Sequence, residues 1–258
     1  MKKYTAIILA SLLLIIFPIH VAAHCPSQGW YFKKTKDHTQ PVLDGNLCFI
    51  ENYKAYYVDK NHSDFNDGEK VIYLTFDAGY ENGNIEKIMN IMKEENVQAS
   101  FFILENLIDR NPDLVKRMNE EGHLICNHTA NHPDMTKYTN IEDFKKELDL
   151  LSESCKSKLN IDIAPYFRPP EGKFNETILK YATELGYTTV FWSFAYADWD
   201  NNNQIYTDTA LEKLKSGTHN GEILLLHPTS ATNAAILADY IHYLKDNGFR
   251  FALLSELA

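Results

Sequence analysis

The sequence predicts an α/β fold: a distorted (β/α) barrel of about seven parallel strands behind an irregular N-terminal extension. Three observations lead there. From Val71 onward, short apolar runs rich in β-branched and aromatic residues alternate with segments of helical periodicity, which implies a parallel sheet. The number of such units suits a closed barrel better than an open sheet. Finally, Asp77, His128, Arg168, Asp198 and His227 each fall at or just beyond the C-terminal end of a separate predicted strand, and a barrel assembles its chemistry on that face.

The elements follow in order. Lys2 and Lys3 precede an apolar run from Ala6 to Phe17, and Val21-Ala22-Ala23 supplies small residues where a signal peptidase cleaves. The run is short for a membrane span, so residues 1–23 read as a signal peptide. The protein is then extracytoplasmic, either secreted or membrane-anchored through an uncleaved N-terminal segment. His24 stands where a small residue would precede a lipidated Cys25, which argues against a lipoprotein. Disulfides are permitted there, and four cysteines allow three connectivities. Cys25 and Cys48 flank one N-terminal segment and are the expected pair, whereas Cys126 and Cys155 read as small buried thiols. No two cysteines have metal-site spacing.

Residues 24–70 carry many aromatics (Trp30, Tyr31, Phe32, Phe49, Tyr53, Tyr56, Tyr57) without periodicity, as expected of an extension packed on a domain. The domain proper spans 71–258. Its expected strands are Val71 to Phe76, Ala99 to Ile103, His123 to Asn127, Tyr166 to Arg168, Thr188 to Phe194, Glu222 to His227 and Phe249 to Leu253. Its expected helices are Ile85 to Glu95, Pro112 to Glu121 with Asn111 as N-cap, Ile141 to Lys158, Glu176 to Leu185, Thr207 to Leu214 and Ala231 to Asn247.

The formal charge of −10 becomes −12 once the two leader lysines are removed. Such a chain is poorly matched to nucleic-acid phosphates or anionic lipid, so no nucleic-acid partner is expected.

Within this frame the pair His128 and His132 stands out. Two imidazoles separated by three residues can reach one metal ion, and Asp77 at a strand end can sit beside it, which describes a metal-assisted hydrolase. Leu124-Ile125 before the pair and Pro133 after it place both histidines on a loop.

Taken together, Thr75-Phe76-Asp77, His128 to His132, Arg168-Pro169-Pro170, Asp198-Trp199 and Leu224 to His227 occur in the order of the five motifs of the polysaccharide deacetylases. The chain therefore resembles that family, the carbohydrate esterase family 4 or NodB-like domain, from about Val71 to its end. The resemblance implies that Asp77 is the general base, that Arg168 orients it and keeps it ionised through a bidentate pair, and that His227 is the general acid, raised by Asp198. His128 and His132 are implied as metal ligands to a divalent ion, zinc by the resemblance. Trp199 and Leu224 would line the acetyl pocket, Pro170 would stiffen the groove, and Tyr80 and Glu171 would meet the substrate, with the backbone N–H at 171 helping to hold the oxyanion.

Two positions depart from the pattern. Most members carry a second Asp, a metal ligand, where this chain has Ala78, which leaves two protein ligands where catalytic zinc usually has three. Many carry Tyr where Glu171 stands. Thr75 to Gly83 and Val190 to Ala195 resemble a narrower branch, the delta-lactam-biosynthetic de-N-acetylases of spore-forming bacteria. That branch implies removal of acetyl from N-acetylmuramic acid in peptidoglycan glycan strands, after a pathway amidase strips the peptide, with closure to muramic δ-lactam in the spore cortex. Lys173 is a candidate contact for the lactyl carboxylate. Two alternatives remain open: a deacetylase of N-acetylglucosamine in peptidoglycan or another glycan, and a catalytically impaired glycan-binding wall protein, which Ala78 favours.

Overall fold

The computed structural model describes residues 26–35, 37–63 and 68–257. The expected signal peptide and Cys25 lie outside them, and so does any pairing of Cys25 with Cys48. Among the described residues no helix is long and apolar enough to cross a membrane.

The extension contributes two short strands, β1 (Gln28–Gly29) and β2 (Ala55–Tyr56). Among the described residues eight further strands and seven α-helices follow: β3 (Lys70–Ala78), α1 (Asn84–Glu94), β4 (Ser100–Ile103), α2 (Glu105–Arg110), α3 (Pro112–Glu120), β5 (Leu124–Asn127), α4 (Ile141–Leu159), β6 (Ala164–Phe167), β7 (Lys173–Phe174), α5 (Glu176–Glu184), β8 (Thr188–Val190), α6 (Thr207–Gly217), β9 (Glu222–Leu226), α7 (Ala231–Asp246) and β10 (Phe249–Ala252). All seven strands expected of the domain are present, and every pairing in the main sheet is parallel.

The nine residues of β3 organise this sheet. One edge pairs with β9, while the other pairs with β10 over Lys70 to Tyr73 and with β4 over Thr75 to Ala78. From β4 the order runs through β5, β6 and β8 to β2. Strand β2 is a correction to the extension as wholly irregular, because it adds an eighth parallel strand beside β8. The strand expected over Thr188 to Phe194 also stops early, at Val190. Beyond it the backbone changes partners: Phe191 N–H donates to Tyr56 O at 2.7 Å, whereas Ser193 N–H donates to Ile223 O at 3.0 Å. Leu225 N–H then donates to Phe194 O, also at 3.0 Å, so the last residues of this run close the distorted barrel onto β9.

Period-two alternation along β3 separates two apolar layers. Ile72, Leu74, Phe76 and Ala78 join the outer layer with Ile85, Ile88, Met89 and Leu107, while Val71 and Tyr73 belong to an inner cluster with Phe102, Cys126 and Ile223. A third cluster gathers the extension's aromatics: Trp30 stacks on Phe191 with ring centroids 4.4 Å apart, and its indole N–H donates to Trp192 O at 2.9 Å. Cys126 and Cys155 are buried free thiols, as expected, and Cys48 is exposed. Burial pushes the Cys155 thiol up to about 11, so it is protonated and inert at neutral pH.

Helix starts follow local chemistry. Asn140, Asn175 and Ser230 each accept a backbone N–H as side-chain caps of α4, α5 and α7. Asn111 occupies the cap position of α3, but its side chain makes no cap bond, because the unanticipated helix α2 ends on the same residue and sets a non-extended backbone there.

Candidate active site

Asp77 projects from the C-terminal end of β3, and Arg168 follows β6. The guanidinium is completely buried: Nη1 donates to Asp77 Oδ1 at 2.8 Å, Nη2 to Thr75 Oγ1 at 2.9 Å and to Phe191 O at 3.3 Å, and Nε to Val190 O at 3.0 Å, while its face lies over the Phe102 ring at 4.1 Å. The expected bidentate pair is therefore corrected. Arg168 divides its fork between Asp77 and Thr75, which lie two residues apart on the same face of β3, and Asp77 Oδ2 stays clear of the fork. Burial works to raise the Asp77 carboxyl, but the charges of Arg168, His128 and His227 and the Arg168 hydrogen bond outweigh it and hold it below its usual value.

His128 and His132 lie on the loop after β5, and the loop is built to hold them. Thr129 N–H donates to Asn127 Oδ1 and His132 N–H to Thr129 Oγ1, both at 2.9 Å, while Thr129 and His132 take left-handed backbone conformations with φ of 74° and 57°. Such conformations persist at non-glycine residues only where surrounding contacts impose them, at about 1–3 kcal/mol each. His128 Nδ1 donates to Arg168 O at 2.8 Å, which leaves Nε2 as the unprotonated nitrogen, 3.6 Å from Asp77 Oδ2. Burial pulls the His128 pKa down to about 4, against the opposing pull of Asp77, so the ring is neutral at neutral pH. The His128 and His132 ring centroids are 5.0 Å apart. The neutral, oriented His128 ring beside that of His132 suits metal ligation, but no group of three or more His, Cys, Asp or Glu that could hold an ion occurs among the described residues. Ala78 is fully buried in the outer apolar layer. Two imidazoles do not fit a three-ligand zinc site.

On the opposite side, His227 follows β9. Its Nδ1 bonds Asp198 Oδ1 at 2.7 Å, and its backbone N–H donates to Asp198 Oδ2 at 2.8 Å. Burial lowers the His227 pKa, but the hydrogen bond and charge of Asp198, with Asp77 adding, lift it above the usual value.

These side chains face one cavity of about 580 Å³, lined by Asp77, His128, His132 and His227 together with Trp192, Tyr196, Trp199 and Leu225. Glu171 lines it as well, in a left-handed conformation with φ 57°, and pairs with Lys173 at 2.6 Å, so Lys173 is engaged by its own neighbour. Trp199 is exposed, its ring 6.2 Å from that of His227.

Three expected contacts are not among the lining residues. Leu224 is buried in the outer layer, because alternation along β9 turns Leu225 toward the cavity in its place. Pro170 is buried, leaving Glu171 and Gly172 at the surface of the cavity. Tyr80 is exposed and accepts a hydrogen bond from Asn201 Nδ2 at 2.6 Å, which ties the loop after β3 to the loop that carries Trp199. Sequence reasoning gave no role to Thr75, Trp192 or Tyr196. Thr75 was accessible from period two alone; the other two stand on an irregular segment without periodicity.

Residues 64–190 match the model of the polysaccharide deacetylase family. The peptidoglycan-N-acetylmuramic acid deacetylase PdaA of Bacillus subtilis (strain 168) is 40% identical over 230 residues, 89% of this chain and 85% of the relative. A peptidoglycan-N-acetylglucosamine deacetylase of Bacillus cereus is 33% identical over 196 residues, 74% of this chain and 89% of the relative. The solved structure of B. subtilis PdaA, a family 4 carbohydrate esterase, superposes with a TM-score of 0.83 at 38% identity, covering 90% of this chain and 96% of that one.

Proposed function

This chain belongs to the polysaccharide deacetylase family, the family 4 carbohydrate esterases, hydrolases of N-acetyl amide bonds, and from that premise we propose that it removes acetyl from N-acetylmuramic acid in peptidoglycan. The observation that carries the reading is the pairing of Arg168 with Asp77 and of Asp198 with His227 around one cavity, in a chain similar over most of its length to a muramic acid deacetylase.

In this reading Asp77, ionised at neutral pH, offers Oδ2 to a water and takes its proton as the oxygen attacks the acetyl carbonyl carbon. The backbone N–H of Glu171 stabilises the resulting oxyanion. His227, kept protonated by Asp198, delivers its proton to the sugar nitrogen as the C–N bond breaks, which releases acetate and a free amine. Leu225, Trp192 and Tyr196 enclose the acetyl group, and Trp199 offers its exposed face to the sugar ring. Deacetylases of this family are metal-dependent in general. His128 and His132 are the two side chains this chain would offer a divalent ion, one short of the three protein ligands usual for catalytic zinc.

The proposal extends to muramic δ-lactam formation in spore cortex, after an amidase has cleared the peptide, and to action outside the cytoplasm. A second reading, deacetylation of N-acetylglucosamine, is favoured by the similarity to the B. cereus enzyme. The impaired-binder reading loses weight because both pairs are intact, and a binding module has no need of an ionised base facing a protonated acid. Acetate release from peptide-free peptidoglycan tests the activity. The wild type should release it, and Asp77→Asn and His227→Ala should not. Absence of acetate with the wild type, with or without added zinc, would overturn the reading.

A further inference from the structure

Behind the Asp198–His227 pair lies a residue outside all five motifs. Asn233 sits in the first turn of α7, almost wholly buried, with its own N–H held by the capping hydroxyl of Ser230 at 3.1 Å. Its Nδ2 donates to Asp198 Oδ2 at 2.6 Å and to the backbone carbonyl of His227 at 3.0 Å. Its Oδ1 accepts from the hydroxyl of Tyr196, which lines the cavity. The amide can face only one way, since a flip would set its oxygen against the Asp198 carboxylate and the His227 carbonyl, neither of which can donate.

We infer that Asn233 is a positioning residue for the proton-donating step: it clamps Asp198 and the His227 backbone together and so fixes the Asp198 Oδ1 to His227 Nδ1 hydrogen bond. Three donors converge on the Asp198 carboxylate, namely the His227 backbone N–H, His227 Nδ1 and Asn233 Nδ2, while Gln204 Nε2 holds the Asp198 backbone carbonyl at 2.9 Å. Two of these belong to His227 itself, so Asn233 is the one donor among the three anchored to another element. Without it the carboxylate side chain loses its one anchor outside His227 and can rotate with the imidazole, which then loses its fixed aim into the cavity. Tyr196 extends the chain to the cavity wall, so a group seated there touches the far end of the network that steers His227.

The role in catalysis rests on the deacetylase reading, but the clamp itself does not, and the test separates them. In the full mature chain, the His227 Nδ1 proton should give a far-downfield NMR resonance below the ring's titration midpoint. In Asn233→Ala that resonance should be lost to exchange with water, kcat for acetate release should fall at least tenfold, and KM should stay within twofold. Should the alanine variant fail to fold, Asn233→Ser keeps a small polar side chain in the first helical turn, too short to reach Asp198, and carries the same expectations. An unchanged resonance in a folded variant would overturn the inference, even with kcat reduced. A wild type that shows the resonance but releases no acetate would sink the deacetylase reading alone, and the resonance in the variants would still decide the clamp.

Discussion

Arg168 donates to Asp77 Oδ1 from one arm of its guanidinium and to Thr75 Oγ1 from the other, with no part of the arginine exposed. The carboxylate is thereby held by one oxygen and presents the second toward the cavity. Removing the arginine should free Asp77 from the charge that depresses its pKa. In Arg168→Met, the acid limb of the pH–rate profile should move upward and kcat should fall by about a hundredfold or more. An acid limb that stays in place would dissociate Arg168 from the base. Breaking a buried pair from one side typically costs about 3–5 kcal/mol, so Asp77→Asn, which strands the guanidinium, should also lower Tm.

His227 sets the opposite limb. Its pKa is raised in the folded protein, which favours the protonated form that the proposed proton transfer needs, and activity should decline as pH rises through that raised value. The same pair stabilises the fold in full below the unfolded histidine value of about 6.5, and this contribution disappears as pH passes the folded pKa. In Asp198→Asn the alkaline limb should move down in pH. A limb that does not move would assign it to another group.

Alternation along β9 gives two neighbouring leucines different duties. Leu224→Ala should cost about 2–5 kcal/mol of stability as a cavity in the outer layer while leaving kcat of the folded protein unchanged. Leu225→Ala opens the wall of the site and should raise KM by severalfold. A reversed pattern, KM moving with Leu224 and not with Leu225, would contradict the observed facing.

Ala78 is where the ligand set is short. A carboxylate placed there by Ala78→Asp must either turn toward His128 and His132 or lie unpaired against the outer apolar layer. The variant should bind zinc at least tenfold more tightly by calorimetry, with a Tm that is depressed without metal and recovers with it. Equal affinity in the two proteins would show that this position does not serve the imidazole pair.

Much of this site could be read in the sequence because its chemistry sits where strands end. Asp77, His128, Arg168 and His227 each follow an apolar run whose period defines a strand, and parallel strands bring those ends together. What could not be read depends on one-residue turns and on contacts between distant segments. The choice of Leu225 over Leu224 hangs on a register that an uninterrupted run of leucines conceals. The division of the Arg168 fork depends on Thr75 being two residues from Asp77. Strand β2 joins the sheet because Lys54 and Tyr56 carbonyls meet the amides of Thr189 and Phe191, and nothing periodic in residues 24–70 announces it. Asn233 lies in an ordinary helical stretch, and only folding brings it to Asp198.

The most direct test is to incubate the purified protein with peptidoglycan whose muramic acid has been freed of peptide, with and without zinc after chelation, and to identify the products by mass spectrometry. Deacetylated muramic acid or its δ-lactam, absent with Asp77→Asn, is the expected result. Intact muramic acid alongside deacetylated glucosamine, or no product under any metal condition, would contradict it.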